Sequence, residues 1–428
     1  MPSSSIRIVH ATVRYPVLST QYSVLSACVA LLTITAPLTA ADWPQFLGPT
    51  RNAVSAETGL AKSWPEKGPP VVWERDVGEG YSAPVVAGGT LILFHRVGDE
   101  EVVEALDAAD GKPRWKFAYP TKYADQLGKG DGPRSTPLVA GGKVYTLGAE
   151  GTLHCLDVKE GKKVWEKSLA RDYELRPSFF GIGTSPLLEG DLLLVNVGGK
   201  GAGIVAFDKA SGREVWKATD DEASYSSPMA ATVGGVRHVF FFTRTGLVGL
   251  DPKDGKVRFT KRWRARGEAS VNAAAPLLIG DRLFLTASYD TGAVLLRVTK
   301  DGVEEVWSGN KSLSSHYNTP VEKDGYLYGI DGRQEQGPRL RCVELKTGTV
   351  KWEQEAFGCA SMILADGLLI ALTEGGELVL VEPTPEGYKE KSRATVLKDK
   401  PCRAEIALAD GRLYGRDGKR LVCWNVKK

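Results

Sequence analysis

The stretch 105–115, ALDAADGKPRW, returns four more times along the chain, as CLDVKEGKKVW (155–165), AFDKASGREVW (206–216), GLDPKDGKVRF (249–259) and CVELKTGTVKW (342–352). Each copy reads small-x-Asp/Glu-x-x-x-Gly-x-x-x-aromatic. The Gly suits a turn position with positive φ, where a side chain is strained. The Asp suits bonding to the backbone amides of that turn. Upstream of each copy lies a second phrase, S/T-x-P followed by apolar residues and a Gly/Asp-Gly turn, as in YSAPVVAGGTLIL (81–93) and YNTPVEKDGYLYGI (317–330). Aligned on its proline position, this phrase falls at 84, 137, 186, 228, 276, 320, 362 and 406, the last two without proline. The chain is therefore eight units of about 46 residues.

Every unit holds four short apolar runs separated by turn signals, which predicts four antiparallel strands and leaves no room for helices. Four-stranded units at this period are propeller blades. The expected fold is all-β, an eight-bladed β-propeller over residues 70–428, preceded by an extension (42–69) packing on it. In this reading Trp115, Trp165, Trp216, Phe259, Trp307 and Trp352 form a structural girdle, each lying across the junction with the neighbouring blade. The last unit, ending at LVCWNVKK (421–428), has three strands, while GPPVVWERDVG (68–78) is a strand without a blade. Val71–Arg75 is expected to complete the eighth blade, with Trp73 as its girdle residue, leaving a ring without open ends.

Composition excludes several function classes. Lys plus Arg number 55 against 52 Asp plus Glu, and Arg7 and Arg14 are the only such charges before residue 42, leaving +1 on the remainder. No field of that size recruits nucleic acid, and KRWRAR (261–266) reads as a solvated loop. Residues 1–41 read as a signal peptide, with the apolar run 24–40 and small residues near Ala40 and Ala41. Export to the periplasm or outer envelope follows. LSAC (25–28) would tether the protein to a membrane only if Cys28 were lipidated; most of the apolar run lies after it, where a lipobox should close the run.

The x-D-x-x-x-G-K-x-x-W phrases resemble the repeats of the pyrroloquinoline-quinone (PQQ) propeller superfamily, which includes quinoprotein alcohol dehydrogenases and BamB-type outer-membrane assembly factors. DWPQFLGPTRNAVSAETGL (42–60) also resembles exported members of planctomycete type. The resemblance implies the propeller strongly and function weakly, because girdle residues build blades rather than sites. The dehydrogenases cap PQQ with adjacent cysteines and hold calcium with Glu, Asn and Asp. This sequence has no Cys-Cys pair and no matching context, so no cofactor and no metal are expected, PQQ with calcium belonging only to an alternative, dehydrogenase-like reading. No C-x-x-C-H, P-loop, dinucleotide fingerprint or G-x-S-x-G elbow is present.

Cys155, Cys342 and Cys423 occupy one repeat position and read as small buried residues. Cys359 and Cys402, near the starts of adjacent first strands, are candidates for a disulfide. The loops entering each first strand border the central channel on one face and offer Tyr81, Arg134, Tyr225, Asn272, His316, Tyr317 and Arg403. That set suits an anionic or carbohydrate-like ligand or a peptide, and it equally suits a plug that satisfies the loops. The expected protein is a monomeric, non-catalytic scaffold for an envelope protein or peptide, docking through face loops or strand addition. The alternative is a quinoprotein-like or carbohydrate-active enzyme.

Overall fold

In a computed structural model, Met1 and residues 42–428 are described, apart from 129, 176–179, 266 and 268–269. The expected signal peptide and Cys28 lie outside the described residues. Thr39–Lys428 forms one compact unit, and its eight sheets are the eight expected blades. Blade one runs Val85–Ala87, Thr90–Val97, Glu100–Asp107 and Pro113–Pro120, each strand antiparallel to the next. Blades two to seven repeat this order, and helix among the described residues is confined to Leu169–Asp172 and a 3-10 turn at Gln334–Gln336. The ring closes as the sequence predicts: Val71–Asp76 pairs antiparallel with Arg420–Asn425, making the outer strand of blade eight from the opposite end of the chain.

Three devices hold neighbouring blades together. The first is the indole. Trp115 donates its ring N–H to the Val158 carbonyl, Trp165 to Lys209, Trp216 to Pro252, Trp307 to Leu345, Trp352 to Thr384 and Trp73 to Ala108, each acceptor lying in the next blade. The ring then covers the turn glycine of that blade, and a Cβ on Gly161 would fall 2.5 Å from Trp115. The motif Gly is thus required twice, by its φ of 68° and by the indole above it. Phe259 packs instead against Phe240 and His238 of its own blade. Blade seven has Ser392 in place of the aromatic, and its hydroxyl accepts the amide of Trp64 from the N-terminal extension.

The second device sits beside the channel. The residue before the proline is usually Thr or Ser, and its hydroxyl accepts an amide from the preceding blade: Ala83 N to Thr136 Oγ1, Thr136 N to Ser185 Oγ, Ser185 N to Ser227 Oγ and Ala275 N to Thr319 Oγ1. The third device is the extension. Trp43 bridges Val86 of blade one, Pro44 accepts from Val139 of blade two, Val54–Ser55 adds a parallel strand to blade seven, and Leu60 bridges Lys427 beyond blade eight. This strap crosses the face that carries the hairpins between first and second strands. From it the buried Arg51 donates to the carbonyls of Ser185 and Pro186 in blade three and to Gln45 Oε1.

Every outer strand carries a one-residue bulge immediately before its girdle position, at Val72, Arg114, Val164, Val215, Arg258, Val306, Lys351 and Lys391. A bulge twists an edge and interrupts its ladder, which guards exposed edges against pairing with another chain.

The expected Cys359–Cys402 disulfide is corrected by the structure, in which both are free, buried thiols. Cys359 packs with Met362 and Leu364, whereas Cys402 packs in the cluster containing Ile363 and Ala365. Side chains alternate along that strand, so the two sulfurs serve opposite faces of the seventh sheet.

Candidate functional site

The loops entering the first strands share a face with the connections between second and third strands. At its centre Tyr81 lies between two guanidiniums, with Arg134 Cζ and Arg403 Cζ each 5.4 Å from the ring centroid. Neither cation stands alone. Arg134 bonds Asp125 at 2.7 Å and also approaches the rings of Tyr123 and Phe180. Arg403 Nε donates to Glu374 Oε1 at 2.7 Å. Burial lowers the Arg403 pKa, and Glu374 more than offsets it, leaving the guanidinium above its usual value.

Glu374 is the hub that sequence reasoning missed. The same Oε1 accepts the Tyr317 hydroxyl at 2.5 Å and Gln334 Nε2 at 3.1 Å. Gln334 Oε1 meets His316 Nδ1 at 3.1 Å, and His316 Nε2 meets the Tyr289 hydroxyl at 2.9 Å. A neutral ring with the proton on Nδ1 satisfies both contacts, donating to Gln334 and accepting from Tyr289. Burial pushes the His316 pKa down, aided by Arg333 and Arg403, and burial raises Tyr317 well above an ordinary tyrosine. Arg333 completes the chain, its Cζ 4.5 Å over the Tyr289 ring.

The structure therefore gathers five of the seven candidates, Tyr81, Arg134, His316, Tyr317 and Arg403, into one connected mouth. Tyr225 stands at its margin, accepting the amide of Phe180 and packing edge-on against that ring. Asn272 does not belong to it. It is buried, donates to the Thr243 and Trp263 carbonyls, and offers its own carbonyl to Tyr225 and Ser226. Its work is to hold loops together. Arg333, Gln334 and Glu374 escaped the sequence reading because they come from connections between second and third strands rather than from the entering loops. A usable signal was present: blade six has a seven-residue connection, 332–338, where the others have two to four.

Deeper in the channel, Glu405 stands one residue before the aligned position 406, and burial pushes its carboxyl up to about 7 against the lowering effect of a bond with Ser361. Among the described residues no three His, Cys, Asp or Glu side chains stand close enough to hold a metal ion.

Comparison with known proteins places these features in context. The family model described as "Outer membrane protein assembly factor BamB" matches residues 51–171 and 98–354. The outer membrane protein assembly factor BamB of Burkholderia pseudomallei is 23% identical over 299 residues, 68% of this chain and 73% of that protein. The quinohemoprotein alcohol dehydrogenase ADH-IIG of Pseudomonas putida is 28% identical over 151 residues, 34% of this chain and only 20% of its own length. Among solved structures, BamB from Moraxella catarrhalis superposes with a TM-score of 0.60 at 17% identity, covering 83% of this chain and 97% of that one. With eight blades closed into a ring and the family model spanning most of it, the chain belongs to the PQQ-like β-propeller family that the BamB model describes.

Proposed function

We propose that this protein is an exported, non-catalytic binding platform of the cell envelope, engaging protein partners in the manner of BamB-like propellers. The observation that carries this reading is the closure of the mouth on itself. Glu374 spends one carboxylate oxygen on Tyr317, Gln334 and Arg403, so the groups best placed for chemistry are bound to one another. Such a network fixes the loops as a rigid rim, and a rim of fixed loops is what a docking partner needs. The envelope location rests on the BamB relatives and on the reading of residues 1–41.

The dehydrogenase reading has less support. Its alignment reaches a fifth of the relative's length. PQQ with calcium needs convergent carboxylate and amide ligands, and the donor set at this mouth does not fit that group. Docking by strand addition is also disfavoured, since each outer edge is bulged next to its girdle position.

The reading is tested by immobilising the protein, passing envelope extract over it and identifying what is retained. Leu127→Asp, at an exposed apolar loop tip on this face, and Arg333→Glu should each weaken retention. Undiminished retention by both variants would remove this face as the docking surface. Turnover of an alcohol-coupled dye after loading with PQQ and calcium would remove the non-catalytic reading.

A further inference from the structure

Beside the mouth, between the upper ends of blades five and six, lies an open cleft of about 410 Å³. One wall is the connection 332–338, the longest of those between second and third strands; the other is the turn 288–291 and the loop that enters blade six, through Asn310, Lys311 and Ser314. In repeat proteins insertions of this kind gather on the binding face. The size lies within the range of small-molecule sites, roughly 300–1,000 Å³, but the lining departs from their usual apolar character.

No apolar side chain lines this cleft. That excludes a lipid tail or an apolar peptide anchor, which would gain nothing by leaving water. Its ionised groups are two carboxylates and three cations, too balanced to select a polyanion. Asp331 is consumed by Arg341 at 3.0 Å, and both Arg339 and Arg341 are tied to Glu353. Asp290 and Lys311 are exposed and belong to no ion pair among the described residues. A free acceptor and a free donor thus face a cleft whose other members, Ser288, Asn310, Ser314 and Gln336, each both donate and accept.

We propose that this cleft is a carbohydrate-binding site. Vicinal sugar hydroxyls combine donor and acceptor at each position without net charge, which matches a polar lining that offers both. The site stands apart from the Glu374 network, and the proposal does not depend on the partner-docking reading.

The test is calorimetric titration of the full chain with maltotetraose, cellotetraose, triacetylchitotriose and xylotetraose. At least one saccharide should bind saturably, and Asp290→Ala and Lys311→Ala should each weaken it about tenfold, the cost of one lost charged hydrogen bond. Both residues are exposed, so melting temperatures should match the parent and exclude unfolding. Lys159→Ala, in an exposed turn between third and fourth strands on the opposite face, should bind as the parent does. The proposal is overturned if none of the four binds at concentrations up to about 10 mM, if the Asp290 and Lys311 variants bind normally, or if Lys159→Ala abolishes binding equally.

Discussion

Tyr145 and Trp165, facing each other across blade two, donate to a single acceptor, the carbonyl of Lys209 in blade three. Tyr414 and Trp73 repeat the arrangement on Ala108, so the ring-closing junction between blades eight and one is clasped in the same way as an interior one. The small residue between the two aromatics, Cys155 in one case and Cys423 in the other, leaves room for both rings.

The clasp predicts a graded cost for its glycines. Gly161→Ala adds a Cβ 2.5 Å from Trp115 at a φ of 68°, combining strain with overpacking. A loss of about 2–4 kcal/mol is expected. Gly190→Ala has positive φ but open space, and should cost about 1 kcal/mol. Urea denaturation of the two variants checks the difference, and equal losses would show that the indole contact contributes nothing.

Arg51→Met should release the strap without melting the blades. The buried guanidinium, its pKa lowered by burial to about 9, joins the extension to the carbonyls of Ser185 and Pro186. Faster hydrogen exchange at Val54–Ser55, with unchanged exchange in Lys143–Leu147, is the expected result. Uniform acceleration across both would mean that the strap supports the whole ring.

Acid should weaken the fold before any carboxylate network fails. Burial depresses His95 to about 3 and His154 to about 4. Unfolded histidine takes up protons below about 6.5 while these two stay neutral, so stability is fully present above that pH and falls as pH drops. From pH 7 to pH 5 each contributes a loss of ~2 kcal/mol. His154→Gln should flatten the slope measured by urea midpoints at the two pH values.

Glu405 works in the opposite direction. Its folded pKa of about 7 exceeds that of an exposed glutamate, so the stability it contributes is present in acid and is lost as pH rises toward 7. Glu405→Gln should melt higher than the parent at pH 8 and similarly at pH 4.5. A lower melting temperature at pH 8 would show that the carboxylate has an unrecognised partner.

The thiols should be silent in the native state. Burial raises Cys359 and Cys402 to about 12, and both are free. Melting temperature should be the same with and without reductant, and a thiol reagent should label them only after denaturation.

The blade count and closure were legible because the Gly-to-tryptophan phrase encodes a contact between neighbours, repeated often enough to be read without coordinates. Val71–Arg75 was legible because a strand without a blade must pair somewhere, and the observed strand runs one residue further, to Asp76. The disulfide failed because two cysteines near adjacent strand starts say nothing about which face of the sheet each side chain takes. Glu374 was illegible for a related reason: it meets Tyr317, Gln334 and Arg403 only once the ring is bent round, across separations of 57, 40 and 29 residues.

Blade eight also constrains how the molecule assembles. Val71–Asp76 leaves the ribosome before any of blades one to seven, yet its partner Arg420–Asn425 follows all of them. Until then a strand that precedes blade one must stay unpaired while seven sheets stack beside it, and pairing the two requires closure of a loop that holds all seven of those sheets. Removing Arg420–Asn425 would therefore leave Val71–Asp76 without its partner as well.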